Sequence, residues 1–265
     1  MQLQILLGVY AAVLGLIVGS YLNVVIYRLP RGISTVLPRS RCPQCGTAIR
    51  ALDNVPVLSF LLLGGRCRSC GARISWRYPA VEAATALLFL ACFLRFGISL
   101  QAPVAALFAA LMLALAMIDF DHMLLPDALT WPGIALGILL QPFVPWARLW
   151  DGPWGAVAGG VFGALLGAGL LLGVWGAWYL LRHEEGMGLG DVKMLAAIGA
   201  FLGWKGVLVS LFLGALSGAV VGLLLMAVRG VDFRAKLPFG VFLALGGLIA
   251  LFAGEPLVRA YARLL

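Results

Sequence analysis

The sequence is short of charge. Only 11% of its 265 residues are Asp, Glu, Lys or Arg, whereas a soluble domain carries roughly a quarter. Acids are the scarcer sign, 11 against 19 Lys and Arg, and there are two histidines. That shortage excludes an ordinary water-soluble globular domain. With 63% hydrophobic residues and a mean hydropathy of +1.04, lipid is the natural solvent for this chain. In so apolar a chain the net charge of +8 is not a nucleic-acid footprint. A basic excess facing the cytoplasm accounts for it, and no nucleic-acid partner is expected. No basic stretch precedes the first apolar run, which is too long for a cleaved signal and reads as a retained membrane helix. Also missing are a Gly-x-Gly-x-x-Gly in a strand–turn–helix setting and a His-Glu-x-x-His. Their absence argues against a Rossmann domain and a zincin-type protease.

What is present is a succession of apolar runs. A membrane helix needs about 20 such residues, and candidates lie near 3–27, 80–96, 102–118, 131–147, 155–181, 192–204, 206–228 and 239–258. The predicted fold is an all-α polytopic membrane protein of about eight transmembrane helices with a small zinc-ribbon-like insertion. The 34 glycines suit close helix packing in lipid. The one clearly polar stretch, 28–79, holds nine of the 19 Lys/Arg and a single acid, Asp53. The positive-inside rule makes it cytoplasmic and the N-terminus external. Through eight helices, Arg182, Lys193, Arg229, Arg234 and Lys236 also fall inside. Arg95, Arg148, Lys205, Arg259 and Arg263 fall outside. Three parts follow: a first helix (1–27), a cytoplasmic four-cysteine module (28–79) and a transmembrane core (80–265).

Four of the five cysteines form two Cys-x-x-Cys pairs, Cys42/Cys45 and Cys67/Cys70. Two such turns can close a tetrahedral site of four thiolates. Gly46 and Gly71 follow each second cysteine, where a knuckle needs a permissive backbone. Structural zinc is the leading reading, ahead of a redox dithiol pair or unliganded thiols. A closed site leaves no position for substrate. Cys92, inside an apolar run, reads as a packing residue.

Acids at the margins of membrane helices are expensive and usually functional. Asp119, Asp121 and Asp127 cluster after the third run. Asp191 ends Gly186-Met187-Gly188-Leu189-Gly190-Asp191, just before the sixth. Both segments face the cytoplasm in this topology, so two carboxylates can meet at one depth. Such a pair shares a proton: one member activates water, the other polarises a scissile carbonyl. Asp119, nearest the apolar segment, pairs best with Asp191. Asp121 is its rival, and Asp121 and Asp127 read otherwise as loop acid and N-cap. His122 and His183 read as interfacial residues, and Glu184 and Glu185 as members of a solvated loop. A transporter or scaffold carrying a zinc ribbon is the alternative of a different class, but its acids belong near the midplane rather than at helix ends.

These residues resemble the type IV prepilin peptidase family, the bifunctional leader peptidase/N-methyltransferases. The resemblance runs along nearly the whole chain. It begins at Gly19-Ser20-Tyr21-Leu22-Asn23-Val24-Val25-Ile26-Tyr27-Arg28-Leu29-Pro30, with Tyr21 where Phe is common. It continues through the cysteine pairs, Asn54-Val55-Pro56, Gly65-Arg66-Cys67, and Arg77-Tyr78-Pro79 with Glu82. Ile118-Asp119 through Leu125-Pro126-Asp127, then Gly188-Leu189-Gly190-Asp191 and Pro238-Phe239-Gly240, complete it. The resemblance implies Asp119 and Asp191 as the catalytic pair. It implies a prepilin or pseudopilin helix with a short basic leader as substrate, cut at the cytoplasmic face of a bacterial inner membrane. It also implies methylation of the new N-terminus from S-adenosylmethionine. Peptidase action without methylation is the nearer alternative, but the family's short peptidase-only members lack the cysteine module. Any methyl-transfer site must be built differently from a Rossmann fold, and one place for it is between the cytoplasmic loop and the helices. Asn23, Arg28 and Glu82 are candidates there, unless Glu82 simply pairs with a nearby arginine.

Overall fold

A computed structural model of the chain describes residues 2–144, 146–183, 188–229 and 237–263. Glu184 and Glu185, expected in a solvated loop, and Arg234 and Lys236, counted inside, lie outside the described residues. Among the described residues the chain is all-α, without a strand. Its helices are α1 (Gln2–Arg28), α2 (Leu58–Leu62), α3 (Arg77–Phe96), α4 (Gln101–His122), α5 (Asp127–Leu140), α6 (Pro153–Arg182), α7 (Leu189–Arg229) and α8 (Phe239–Ala262). Two compact units emerge, Met1–Ala110 and Leu111–Leu265.

In the first unit α1 and α3 run antiparallel in close contact. A methyl placed on Gly15 would lie 2.6 Å from Ala86 Cα, and one on Gly19 would lie 2.7 Å from Glu82 Cα. Small residues let backbones approach where lipid offers no hydrophobic drive between helices. Polar bonds finish the joint. Asn23 Nδ2 donates to the Tyr78 carbonyl at 3.1 Å. The buried Glu82 accepts from the Val57 amide at 2.7 Å and from the Ser20 hydroxyl. Where pairing with a nearby arginine was the simple alternative for Glu82, the described contacts give it a backbone amide and a hydroxyl. A backbone amide is the better partner here, because Val57 sits at φ +59 ahead of α2 and its N–H needs an acceptor.

In the second unit α6 packs along the first part of α7 through a glycine face. A methyl on Gly167 would lie 2.5 Å from the Leu195 carbonyl, and Gly163 and Gly199 meet backbone to backbone. The later part of α7 packs antiparallel to α8, with Gly214 against Phe242 and Gly246 against Ser210.

Among the described residues six helices are long and apolar enough to cross a membrane, two fewer than expected. One difference is α5, which has 14 residues. At 1.5 Å per residue it is about 21 Å long, against a hydrocarbon core of about 30 Å. The other lies inside α7, where Gly203 leaves helical geometry at φ +68. In a straight helix residues 199 and 207 would stand about 12 Å apart. Here a methyl on Gly199 would lie 2.8 Å from a Val207 side-chain carbon. The chain therefore turns back at Gly203, and the expected sixth and seventh helices are the two arms of α7.

That reversal strands the last carbonyls of the first arm, which lose their partners one turn on. Gln141, fully buried after α5, supplies the donors. Its Nε2 reaches the Ala200 carbonyl at 2.6 Å and the Phe201 carbonyl at 2.7 Å. Gln141→Leu leaves both unpaired and is expected to destabilise the protein by about 2 kcal/mol or more. Thermal unfolding in detergent measures it; an unchanged midpoint would show that the two carbonyls find other partners.

Candidate active site and metal centre

Four chain segments meet at one end of the second unit. Asp119 lies in the last turn of α4, and its side chain is buried. Its Oδ2 accepts the Val241 amide at 3.2 Å in the first turn of α8, an amide shared with the Pro238 carbonyl at 3.3 Å. The α8 N-terminus thus acts on Asp119 as an N-cap acts on its own helix, with the carboxylate facing the positive end of the dipole. Gly240 makes the approach possible, since a methyl there would lie 2.8 Å from Asp119 Oδ2. Pro238, at φ −69 and ψ 94, turns the chain into α8 at this point.

Asp191 lies in the first turn of α7, half-buried. The charge of Asp119 reaches it, so the two carboxylates occupy one electrostatic environment. Leu125 couples their supports. A methyl on Gly190 would lie 2.9 Å from Leu125 Cβ, and one on Gly240 would lie 3.2 Å from Leu125 Cδ1. One buried leucine therefore wedges between the glycine before Asp191 and the glycine beside Asp119. Asp127 adds a surface tie by pairing with Lys193, which joins the starts of α5 and α7.

The remaining acids and histidines separate from this pair. Asp121 is exposed, two residues beyond Asp119 and so about 200° around the helix. His122 ends α4 and His183 ends α6, both exposed. Neither joins a metal-sized cluster among the described residues. Reading the residues had not found Leu125, the Val241 amide or the Asp127–Lys193 pair. The Pro-Phe-Gly motif was the one available signal for the second of these, and it gave no contact.

The cysteine module in the first unit consists of two knuckles with the same hydrogen-bond pattern. In the first, the Cys42 amide donates to Thr47 at 2.9 Å and the Gly46 amide to Cys42 at 2.9 Å. In the second, the Cys67 amide donates to Ala72 at 2.8 Å and the Gly71 amide to Cys67 at 2.9 Å. Gly46 and Gly71 adopt φ +70 and +71. The Sγ atoms of Cys42, Cys45, Cys67 and Cys70 all lie within 4.8 Å of one another. Cys42 and Cys70 sulfurs are 3.9 Å apart; a tetrahedral zinc–thiolate centre sets that edge at roughly 3.8 Å. The donor set fits a metal. Hydrogen bonding with Thr47, whose hydroxyl lies 3.3 Å from the sulfur, lowers the Cys45 thiol to about 6 and favours the ligating thiolate. Beside the knuckles Arg68 binds Asp53 through two nitrogens, at 2.7 and 2.9 Å, and holds that carboxyl below its usual range. The stabilisation is present at neutral pH and fades as pH falls through the lowered value.

Comparison with known proteins follows the same two-part division. Residues 13–96 match the family model described as the bacterial peptidase A24 N-terminal domain. Residues 106–223 match the type IV leader peptidase family. A prepilin leader peptidase/N-methyltransferase of Pseudomonas putida is 40% identical over 280 aligned positions, covering 96% of this chain and 93% of that protein. Proteins of the same name from Pseudomonas aeruginosa and Aeromonas hydrophila are 39% and 40% identical. They cover 94% and 93% of this chain and 91% and 90% of their own lengths. No solved structure matches. With identity of this order over almost its whole length, the chain belongs to the type IV leader peptidase family.

Proposed function

We infer that the chain removes the leader peptide of a prepilin or pseudopilin with Asp119 and Asp191, then methylates the new N-terminal amine. The observation that carries the cleavage reading is the buried Asp119, capped by the α8 amide within electrostatic reach of Asp191. One carboxylate accepts a proton from water as the oxygen attacks the scissile carbonyl. The other gives its proton to that carbonyl oxygen. Collapse then breaks the C–N bond, and the leaving amine takes up a proton. Both aspartates sit at helix ends, where water is at hand and a helix behind the cut can stay in lipid.

The nine Lys/Arg of 28–79 support a cytoplasmic location for that segment and for the aspartates, in a bacterial inner membrane. Cys42, Cys45, Cys67 and Cys70 would hold zinc in a structural role, because four thiolates close the coordination shell. The names of the relatives support the methylation reading, and so does the presence of the whole cysteine module. Residues 28–79 would then be a soluble insertion between two membrane parts.

The test is incubation of purified chain with a model prepilin and methyl-labelled S-adenosylmethionine. Cleavage after the leader and label on the mature N-terminus are expected; an uncut substrate would overturn the reading. A narrower test is Gly240→Ala, which pushes Asp119 off its amide. It is expected to lower kcat about tenfold to a hundredfold with little change in KM. An unchanged kcat would remove α8 from the site.

A further inference from the structure

The insertion 28–79 is not polar throughout. Its residues 54–65 carry no charge and lie between Arg50 and Asp53 on one side and Arg66 and Arg68 on the other. An apolar run of this length is too short to span a bilayer; it makes either a buried core helix or an interfacial, re-entrant segment. Burial excludes the first. Of the five residues of α2 only Phe60 is buried, its ring 4.7 Å from that of Trp76. Leu58, Leu61 and Leu62 are 53, 61 and 78% exposed. Their spacing puts all three on one face of the helix. Single exposed leucines are ordinary, but three together in one short helix form a patch that needs a partner.

One hydrogen bond sets the depth of that patch. The Val57 amide, immediately before α2, donates to the Glu82 carboxylate at 2.7 Å. Glu82 lies five residues into α3, about 7.5 Å along its axis. Its Cα packs on Gly19 of α1, nine residues short of the end of that helix at Arg28. The chain therefore descends beside α1 and α3 to Val57, passes through α2, and turns back at Gly64 and Gly65, where φ is +58 and +68. At the level of Glu82 both neighbours are already membrane helices, so what surrounds α2 there is lipid. We propose that residues 55–63 form a re-entrant wedge in the leaflet on the side of the knuckles, with Leu58, Leu61 and Leu62 among the acyl chains. Trp76, 72% exposed at the start of α3, suits the headgroup level, where amphipathic rings concentrate. Arg50 and Arg66, both exposed, flank the wedge and complement anionic headgroups. The insertion is then in water only at its knuckles. One precedes the wedge and one follows it, so both are pinned to the membrane surface.

Acyl-chain crosslinking of the unsubstituted protein tests this. Full-length chain is placed one copy per nanodisc, with lipids carrying a diazirine either near the headgroup or at the chain end. After irradiation, trypsin releases the wedge in one peptide, 51–66, and the first knuckle in another, 42–50. Adducts are expected on Leu58, Leu61 and Leu62, mostly from the probe near the headgroup. Their yield should exceed that on 42–50 by at least about tenfold, since each leucine favours hydrocarbon over water by that order. Leu87, exposed ten residues into α3 and so about 15 Å along it, is the control and should take label chiefly from the chain-end probe. Label on Leu87 with none on 51–66 would overturn the proposal, because water or another part of a protein would then cover the patch. Equal labelling of 42–50 and 51–66 would overturn it too, by laying the whole module against lipid.

Discussion

Asp191→Asn and Asp119→Asn are each expected to lower the rate of prepilin cleavage by at least about a thousandfold, and Asp121→Asn to leave it within about threefold. Asparagine keeps the size of the side chain but can neither take a proton from water nor give one to a carbonyl. Loss of either partner therefore removes both halves of the chemistry, and the double variant should be no worse than the worse single. The exposed Asp121 lies on the other side of α4, away from the Val241 amide. The measurement is the single-turnover rate of leader removal at saturating enzyme, with substrate affinity determined separately. Near-normal cleavage by Asp119→Asn together with a dead Asp121→Asn would move the first catalytic role to Asp121. Near-normal cleavage by both Asp119→Asn and Asp191→Asn would remove the pair altogether.

Cys42→Ser with Cys45→Ser is expected to lower bound zinc from about one per chain to less than about a tenth, and methyl transfer is expected to disappear with it. The reason is how little else holds the module together. Between the end of α1 and the start of α3, Cys42 and Phe60 are the buried apolar residues. With almost no apolar core, a bound metal would serve as the core. Structural zinc in small domains binds with apparent free energies on the order of 10 kcal/mol or more, and that energy is folding energy. Thr35, Arg39 and Asn54 flank the first knuckle, so the surface they form should be lost with the metal. Cleavage should persist at a reduced rate, because Asp119, Asp191, Leu125 and Gly240 all belong to the other unit. Elemental analysis alongside separate cleavage and label-transfer assays checks this. Full zinc occupancy in the double variant, or methyl transfer without zinc, would contradict it.

Much of this was legible in the residues, for identifiable reasons. Apolar runs report lipid directly, because lipid selects composition. The knuckles were legible because each ligand pair and its glycine lie within a few residues of one another. Asp191 stood out because the glycines around it are local too. What stayed hidden depends on distant partners. Gln141 reads as a stray polar residue until Ala200 and Phe201, 59 and 60 positions away, supply the carbonyls it serves. Leu125 reads as one more leucine until Gly190 and Gly240 arrive on either side. The reversal at Gly203 lies among apolar neighbours, where hydropathy does not distinguish a turn from a continuing helix. The break expected between 192–204 and 206–228 falls at Lys205, two residues beyond the glycine that makes it.

The two short arms, α5 and the first half of α7, also bear on the bilayer. Each is about 9 Å shorter than a typical hydrocarbon core. The first half of α7 is buried within the unit, so it is beside α5, with its exposed Trp131, Leu136 and Leu139, that lipids must compress or tilt, at a cost of a fraction of a kcal/mol per Å of mismatch. Reconstitution in a series of acyl-chain lengths should therefore reveal an optimum in thin bilayers. A locally thinned membrane would bring the aqueous interface down to the aspartates, without a water channel through the helices.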